Sequence, residues 1–145
     1  MLACDLVVAS RTARFGLPEV SRGLVASCGA LFRAPAALPA NLARELLLTG
    51  EPIDVGRARE AGLVNVVTEP GGAVPAAVAL GERICANAPV AVQASLVAVN
   101  RWLAAAEEFG WQVTADAVAA IGASDDHQEG IAAFLDKRPP RWTGR

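Results

Sequence analysis

A surplus of positive charge is missing from this chain: thirteen Lys and Arg stand against fifteen Asp and Glu, a net charge of −2. A protein that tracks a phosphate backbone needs a basic stripe, so nucleic acid is not an expected partner. Cysteine is sparse and odd in number, and Cys4, Cys28 and Cys85 lie far apart without paired ligand spacing. That argues against a disulfide framework and for reduced thiols, read here as small buried hydrophobes. No long hydrophobic run occurs either. The longest uncharged stretch with apolar bias, Ile84 to Asn100, contains Asn87, Pro89 and Gln93. It falls short of the roughly twenty residues a membrane span needs, so neither a transmembrane helix nor a membrane partner is expected. The first ten residues lack a basic n-region, and Asp5 interrupts their apolar segment. The chain is therefore read as unsecreted and cytoplasmic.

Chemical motifs are few. There is no Gly-x-Ser-x-Gly elbow, no phosphate-binding glycine loop and no Cys-x-x-Cys, which removes the common hydrolase, nucleotide and redox readings. His127 is the only histidine. It lies between Asp126 and Gln128 at an expected helix start, where exposure is anticipated and no neighbour has metal-ligand spacing, so no metal is expected. Trp102, Trp111 and Trp142 have no basic residues interleaved with them and are read as packing anchors.

What is present is an apolar, folded composition, 53% hydrophobic and 19% charged, long enough for one domain with a core. Leu6–Ala9 and Leu63–Val67 are short runs with the near-continuous apolarity of strands covered on both faces. Between them Leu42, Ala43, Leu46 and Leu47 recur at helical spacing, with Asn41, Arg44 and Glu45 opposite and Gly50 as the stop. Asp54 caps a further helix, Val55 to Ala61, closed by Gly62. After the turn Glu69-Pro70-Gly71-Gly72 the pattern is helical only, which places a boundary between 1–70 and 71–145. Three stripes follow: Ala77, Leu80, Ile84; then Val92, Leu96, Val99, Leu103; then Phe109, Val113, Ala117, Ile121. Asp126 and Glu129 form a capping-box-like start for a last helix, Gly130 to Lys137, which Arg138-Pro139-Pro140 cannot continue.

One carboxylate stands out. Glu19 sits among Phe15, Leu17, Pro18 and Val20, directly after the first strand. An apolar setting suits a carboxyl group to giving and taking protons. A solvated carboxylate at a strand end is the commoner case for such a residue, and composition leaves both readings open.

Five strings then come together. Ala3–Ala9, Ala13–Val20, Leu47-Leu48-Thr49-Gly50, Ala58–Asn65, and Asp126 with Glu129-Gly130 and Ala133–Arg138, in this order and spacing, closely resemble the enoyl-CoA hydratase/isomerase (crotonase) family. Each string is weak alone; the ordered set is specific. The resemblance covers the whole chain but only the C-terminal part of a family member. It implies an α/β fold: the last turns of a crotonase-like ββα spiral over 1–70, then a helical trimerisation region over 71–145. By family the assembly would be a trimer or hexamer. It further implies an acyl-CoA substrate handled through a stabilised enolate, fatty-acid metabolism of the β-oxidation type, and no cofactor beyond the coenzyme A of the substrate. Glu19 matches the second catalytic glutamate, while Phe134 and Lys137 match positions that contact coenzyme A, often that of the neighbouring subunit. For Phe134, core packing is an equal alternative on the residues alone.

Two departures accompany the match. The family's two enolate-stabilising N–H groups and its first glutamate would fall before Met1, which suggests a truncated, impaired enzyme. The segment Gly23–Arg33 lacks the proline and extra glycines common in the family, which touches acyl-pocket shape. A second reading follows: a non-catalytic crotonase-like fragment that oligomerises with intact relatives.

Overall fold

The computed structural model describes residues 1–145. Strand β1 (Val8–Ser10) and strand β2 (Arg14–Phe15) lead into a 3₁₀ turn, Pro18–Arg22. Helices α1 (Ala30–Ala37) and α2 (Ala40–Thr49), strand β3 (Ile53–Asp54), helix α3 (Val55–Glu60) and strand β4 (Val66–Thr68) follow. Helices α4 (Ala73–Cys85), α5 (Pro89–Gly122) and α6 (Asp125–Leu135) complete the chain. β1 pairs with β4 in parallel, Val8 opposite Val66, while β2 pairs with β3 antiparallel, Phe15 opposite Ile53.

The sequence signals for α2 and α3 act as anticipated. Leu42, Ala43 and Leu46 are buried, and Gly50 ends α2 at φ 70° with its N–H donating to the Leu46 carbonyl. The Asp54 side chain accepts from Arg57 N at 2.8 Å, satisfying a donor that the first turn of α3 would otherwise leave open. These faces meet Ala9, Ala34, Leu38, Ile53, Val55, Ala58, Leu63 and Val64 in one core, which lies entirely between residues 9 and 64.

Several sequence expectations are corrected here. The strands are shorter and shifted: Leu63 and Val64 reach the core from the segment before β4, and the Asn65 side chain accepts from Val7 N at 2.7 Å while Asn65 N donates to the Val7 carbonyl at 2.8 Å. Nor are the two strands covered on both faces, since only Ala9 is buried and Val67 is exposed. The second and third helical stripes belong to one unbroken helix, α5, whose only interior glycine is Gly110. A helix tolerates a single interior glycine, and Phe32 of α1 fills the space a side chain at Gly110 would need. Leu96, Val99, Leu103, Phe109 and Val113 are exposed, and Gly110 and Thr114 alone are buried along α5.

α5 is tied to α1 by Arg33, which forms a two-pronged ion pair with Glu107 at 2.9 and 3.0 Å. The guanidinium also lies 5.3 Å and 5.7 Å from the ring centres of Phe32 and Trp111. Trp111 is thus a packing anchor as expected, whereas Trp102 is 78% exposed and anchors nothing within the chain. The three cysteines, anticipated as buried, are all exposed. Cys4 lies before the first strand, Cys28 precedes α1 and Cys85 ends α4, all outside the apolar cluster that forms the core. No helix is long and apolar enough to cross a membrane.

Candidate functional site

Leu17-Pro18-Glu19 builds the site from local chemistry. Proline has its φ preset and no N–H to lose, so Pro18 opens the 3₁₀ turn readily. The Ser21 hydroxyl donates to the Pro18 carbonyl at 2.7 Å, and Leu24 N donates to the Glu19 carbonyl at 3.0 Å. Gly23 closes the turn at φ 64°, a left-handed conformation that glycine adopts without strain.

Two helices clamp this turn. On one side α2 packs against it, with Gly50 close to Pro18 and Val20. On the other, α6 comes so near that a Cβ on Gly130 would overlap the Arg22 carbonyl. His127 Nδ1 lies 3.1 Å from the Gly23 carbonyl oxygen, and the Arg22 guanidinium sits 5.2 Å over the Phe134 ring. The sequence predicts an exposed His127; it is instead half-buried against a backbone 104 residues away. The start of α6 is corrected as well. Ser124, not Asp126, is the N-cap, accepting from His127 N at 3.2 Å. Asp126 and Glu129 turn to the tail: Asp126 accepts from Thr143 N and Gly144 N, and Glu129 from Arg138 and from Arg141 N. The Arg138 contact, with Arg141 N behind it, holds the Glu129 carboxyl down at about 2.

Glu19 points into a cavity of about 350 Å³ whose other walls are Leu17, Val20, Val25, Ala26, Leu31, Leu47, Leu48 and Arg44. The residue is half-buried, and its Oε2 is buried without a hydrogen-bond partner. An unpaired polar atom in an apolar wall is costly, and a bound group with a proton to share relieves that cost. The cavity can therefore seat an apolar chain beside the Glu19 carboxyl group.

Phe134 and Lys137 do not reach that cavity. With Ser21, Arg22, Gly130, Ala133, Arg138 and Pro140 they line a second depression of about 290 Å³ across the 3₁₀ turn. The structure thus brings Phe134 and Lys137 together, adds Arg22 and Arg138 to them, and separates all four from Glu19 by one turn of backbone. Phe134 is exposed, which removes core packing as its role in this chain. No three His, Cys, Asp or Glu side chains are grouped so as to hold a metal ion.

Sequence reasoning missed Arg22 and Arg44 as lining residues. Arg44 lies opposite the core stripe of α2, where an exposed arginine carries no signal of its own. Arg22 is revealed only by the approach of α6.

The order of these short strands and helices is shared with a known class of proteins. The chain belongs to the enoyl-CoA hydratase/isomerase family, whose model matches residues 1–145. Among curated proteins it is 35% identical over 144 residues to the 2,3-dehydroadipyl-CoA hydratase of Escherichia coli K12, covering 99% of this chain and 56% of that protein. It is 37% identical to the mouse mitochondrial enoyl-CoA hydratase domain-containing protein 2, covering 99% of this chain and 50% of that one. Among solved structures, the carnitinyl-CoA dehydratase of Mycobacterium avium superposes with a TM-score of 0.93 at 46% identity, covering 99% of this chain and 57% of that one. The chain spans about half the length of the curated relatives it matches.

Proposed function

We propose that this chain supplies the C-terminal part of an enoyl-CoA hydratase/isomerase-like site, with residues 1–70 ending the spiral core and 71–145 forming an oligomerisation region. Glu19 is the acid/base group that moves a proton at the acyl carbon next to the thioester. Phe134 and Lys137 meet the coenzyme A portion, the ring by packing and the ammonium by charge. The observation that carries this reading is the place of Glu19, a half-buried acid, in the wall of a largely apolar cavity. Hydration needs a second group to hold water and two N–H donors for the enolate oxygen, which the family resemblance assigns upstream of residue 1. As 145 residues alone, turnover is therefore expected to be low.

The test is hydration of crotonyl-CoA, followed by loss of the enoyl absorbance, for the chain and for Glu19→Gln. Turnover that disappears in Glu19→Gln supports the proposal; turnover untouched by that change removes Glu19 from the mechanism. The exposed apolar side chains of α5 favour a second reading, a non-catalytic member that assembles with copies of itself or with longer relatives. Absence of both turnover and thioester binding, with assembly retained, would select it.

A further inference from the structure

His127 is the only histidine of the chain, and the chemistry proposed above gives it no task. Its contact is nonetheless specific. Gly23 is buried, no loop or turn N–H donates to its carbonyl, and the imidazole Nδ1 lies 3.1 Å from that oxygen. A carbonyl only accepts, so Nδ1 carries the hydrogen, and in the neutral ring Nε2 is bare. The other end of the same peptide unit is engaged as well, since Leu24 N donates to the Glu19 carbonyl at 3.0 Å. The Gly23–Leu24 peptide is thus held twice, at its oxygen by the imidazole from α6 and at its nitrogen by the residue that bears the acid. A donor on the oxygen of a peptide group polarises its N–H, so the first bond strengthens the second. The two backbones leave little slack around this pair: a Cβ on Gly23 would overlap the Asp126 carbonyl oxygen and press on His127.

We infer that His127 is a positioning residue for Glu19: through the Gly23–Leu24 peptide, its Nδ1–H fixes the turn that carries the Glu19 carboxyl group to the cavity wall. This rests on the acyl-CoA reading above. A packing role would need only the volume of the ring, whereas this role needs a donor at Nδ1. Asparagine and leucine separate the two. They share a branched shape; asparagine can set an N–H where Nδ1 stands, and leucine, the better helix former, cannot. Both keep the bond to the Ser124 cap, which the backbone N–H of residue 127 makes.

Nuclear magnetic resonance of the 145-residue chain, His127→Asn and His127→Leu tests this without requiring turnover. The single imidazole of the parent, measured neutral, should give the nitrogen shifts of the Nδ1–H tautomer; the Nε2–H tautomer overturns the inference. Deuterium exchange at the Leu24 amide should quicken about fivefold in His127→Leu, the effect of losing one hydrogen bond, and return to the parent rate in His127→Asn. The bonded amides of Gly50 and Arg57, remote from α6, should keep their rates in both variants. No change at Leu24, or equal quickening at all three amides, overturns the inference. Crotonyl-CoA is then added to saturation. The carbon-13 resonance of the Glu19 carboxyl group should shift in the parent and in His127→Asn and shift less in His127→Leu, with calorimetric affinity alike in all three. A shift as large in His127→Leu as in the parent sinks the inference alone. Failure of the parent to bind, or binding that leaves the Glu19 resonance unmoved, sinks the acyl-CoA reading and this inference together.

Discussion

At the scale of the residue, a side chain's neighbours in sequence inform only part of its surroundings. Glu19 was readable because Leu17 and Val20, which flank it in the chain, also wall its cavity. Arg44 was not, because helical spacing shows only that it lies opposite Leu42, Ala43 and Leu46, and not that a cavity opens there. Phe134 left two roles open in the sequence, and its exposure speaks against core packing within these residues. Replacing Glu19 by Gln keeps the shape and removes the proton exchange. The low crotonyl-CoA hydration expected of the chain should then disappear, with thioester affinity by calorimetry little changed.

At the scale of the element, α6 governs the turn that bears Glu19. Gly130 allows the approach to Arg22, so Gly130→Ala forces the two apart. A loss of about 1–3 kcal/mol is expected, seen as a fall in melting temperature of several degrees. Ser124→Ala removes the α6 cap and should cost about 1 kcal/mol in the same measurement. The contact of Glu129 with Arg138 and Arg141 N gives a pH signature. Its carboxyl is held at about 2 against an ordinary 4.5, so the stabilisation is complete above 4.5 and is lost as pH falls toward 2. Melting temperature should drop across that window, and Glu129→Gln should flatten the drop. The existence of α6 was legible, but its cap was not. Asp126 and Glu129 fit a capping box by spacing, and only the return of residues 141–144 shows why they bond elsewhere.

At the scale of the whole molecule, the core is confined to one half of the chain. The alternation of strands and helices up to residue 70 was legible because its apolar residues meet one another. The amphipathic stripes of α4 and α5 were legible as helix but not as surface: α4 lies against β1 and β4, whereas most apolar side chains of α5 are left exposed. α5 runs for 34 residues, about 51 Å, with Val99 and Trp102 among its exposed apolar side chains. Association is the expected consequence: sedimentation velocity should show mass rising with concentration, and Val99→Glu with Trp102→Glu should hold the chain at its monomer value. A concentration-independent monomer in the parent chain would count against the oligomerisation region.

The last residues are fastened to this machinery. Asp125 N and Asp126 N both donate to the Arg145 carbonyl oxygen, Asp126 grips Thr143 and Gly144, and the same helix presses on the turn beneath Glu19. A fusion partner or affinity handle joined at the carboxyl end would tug on that mooring, and the strain would reach the acid two contacts away; an amino-terminal handle leaves the mooring untouched.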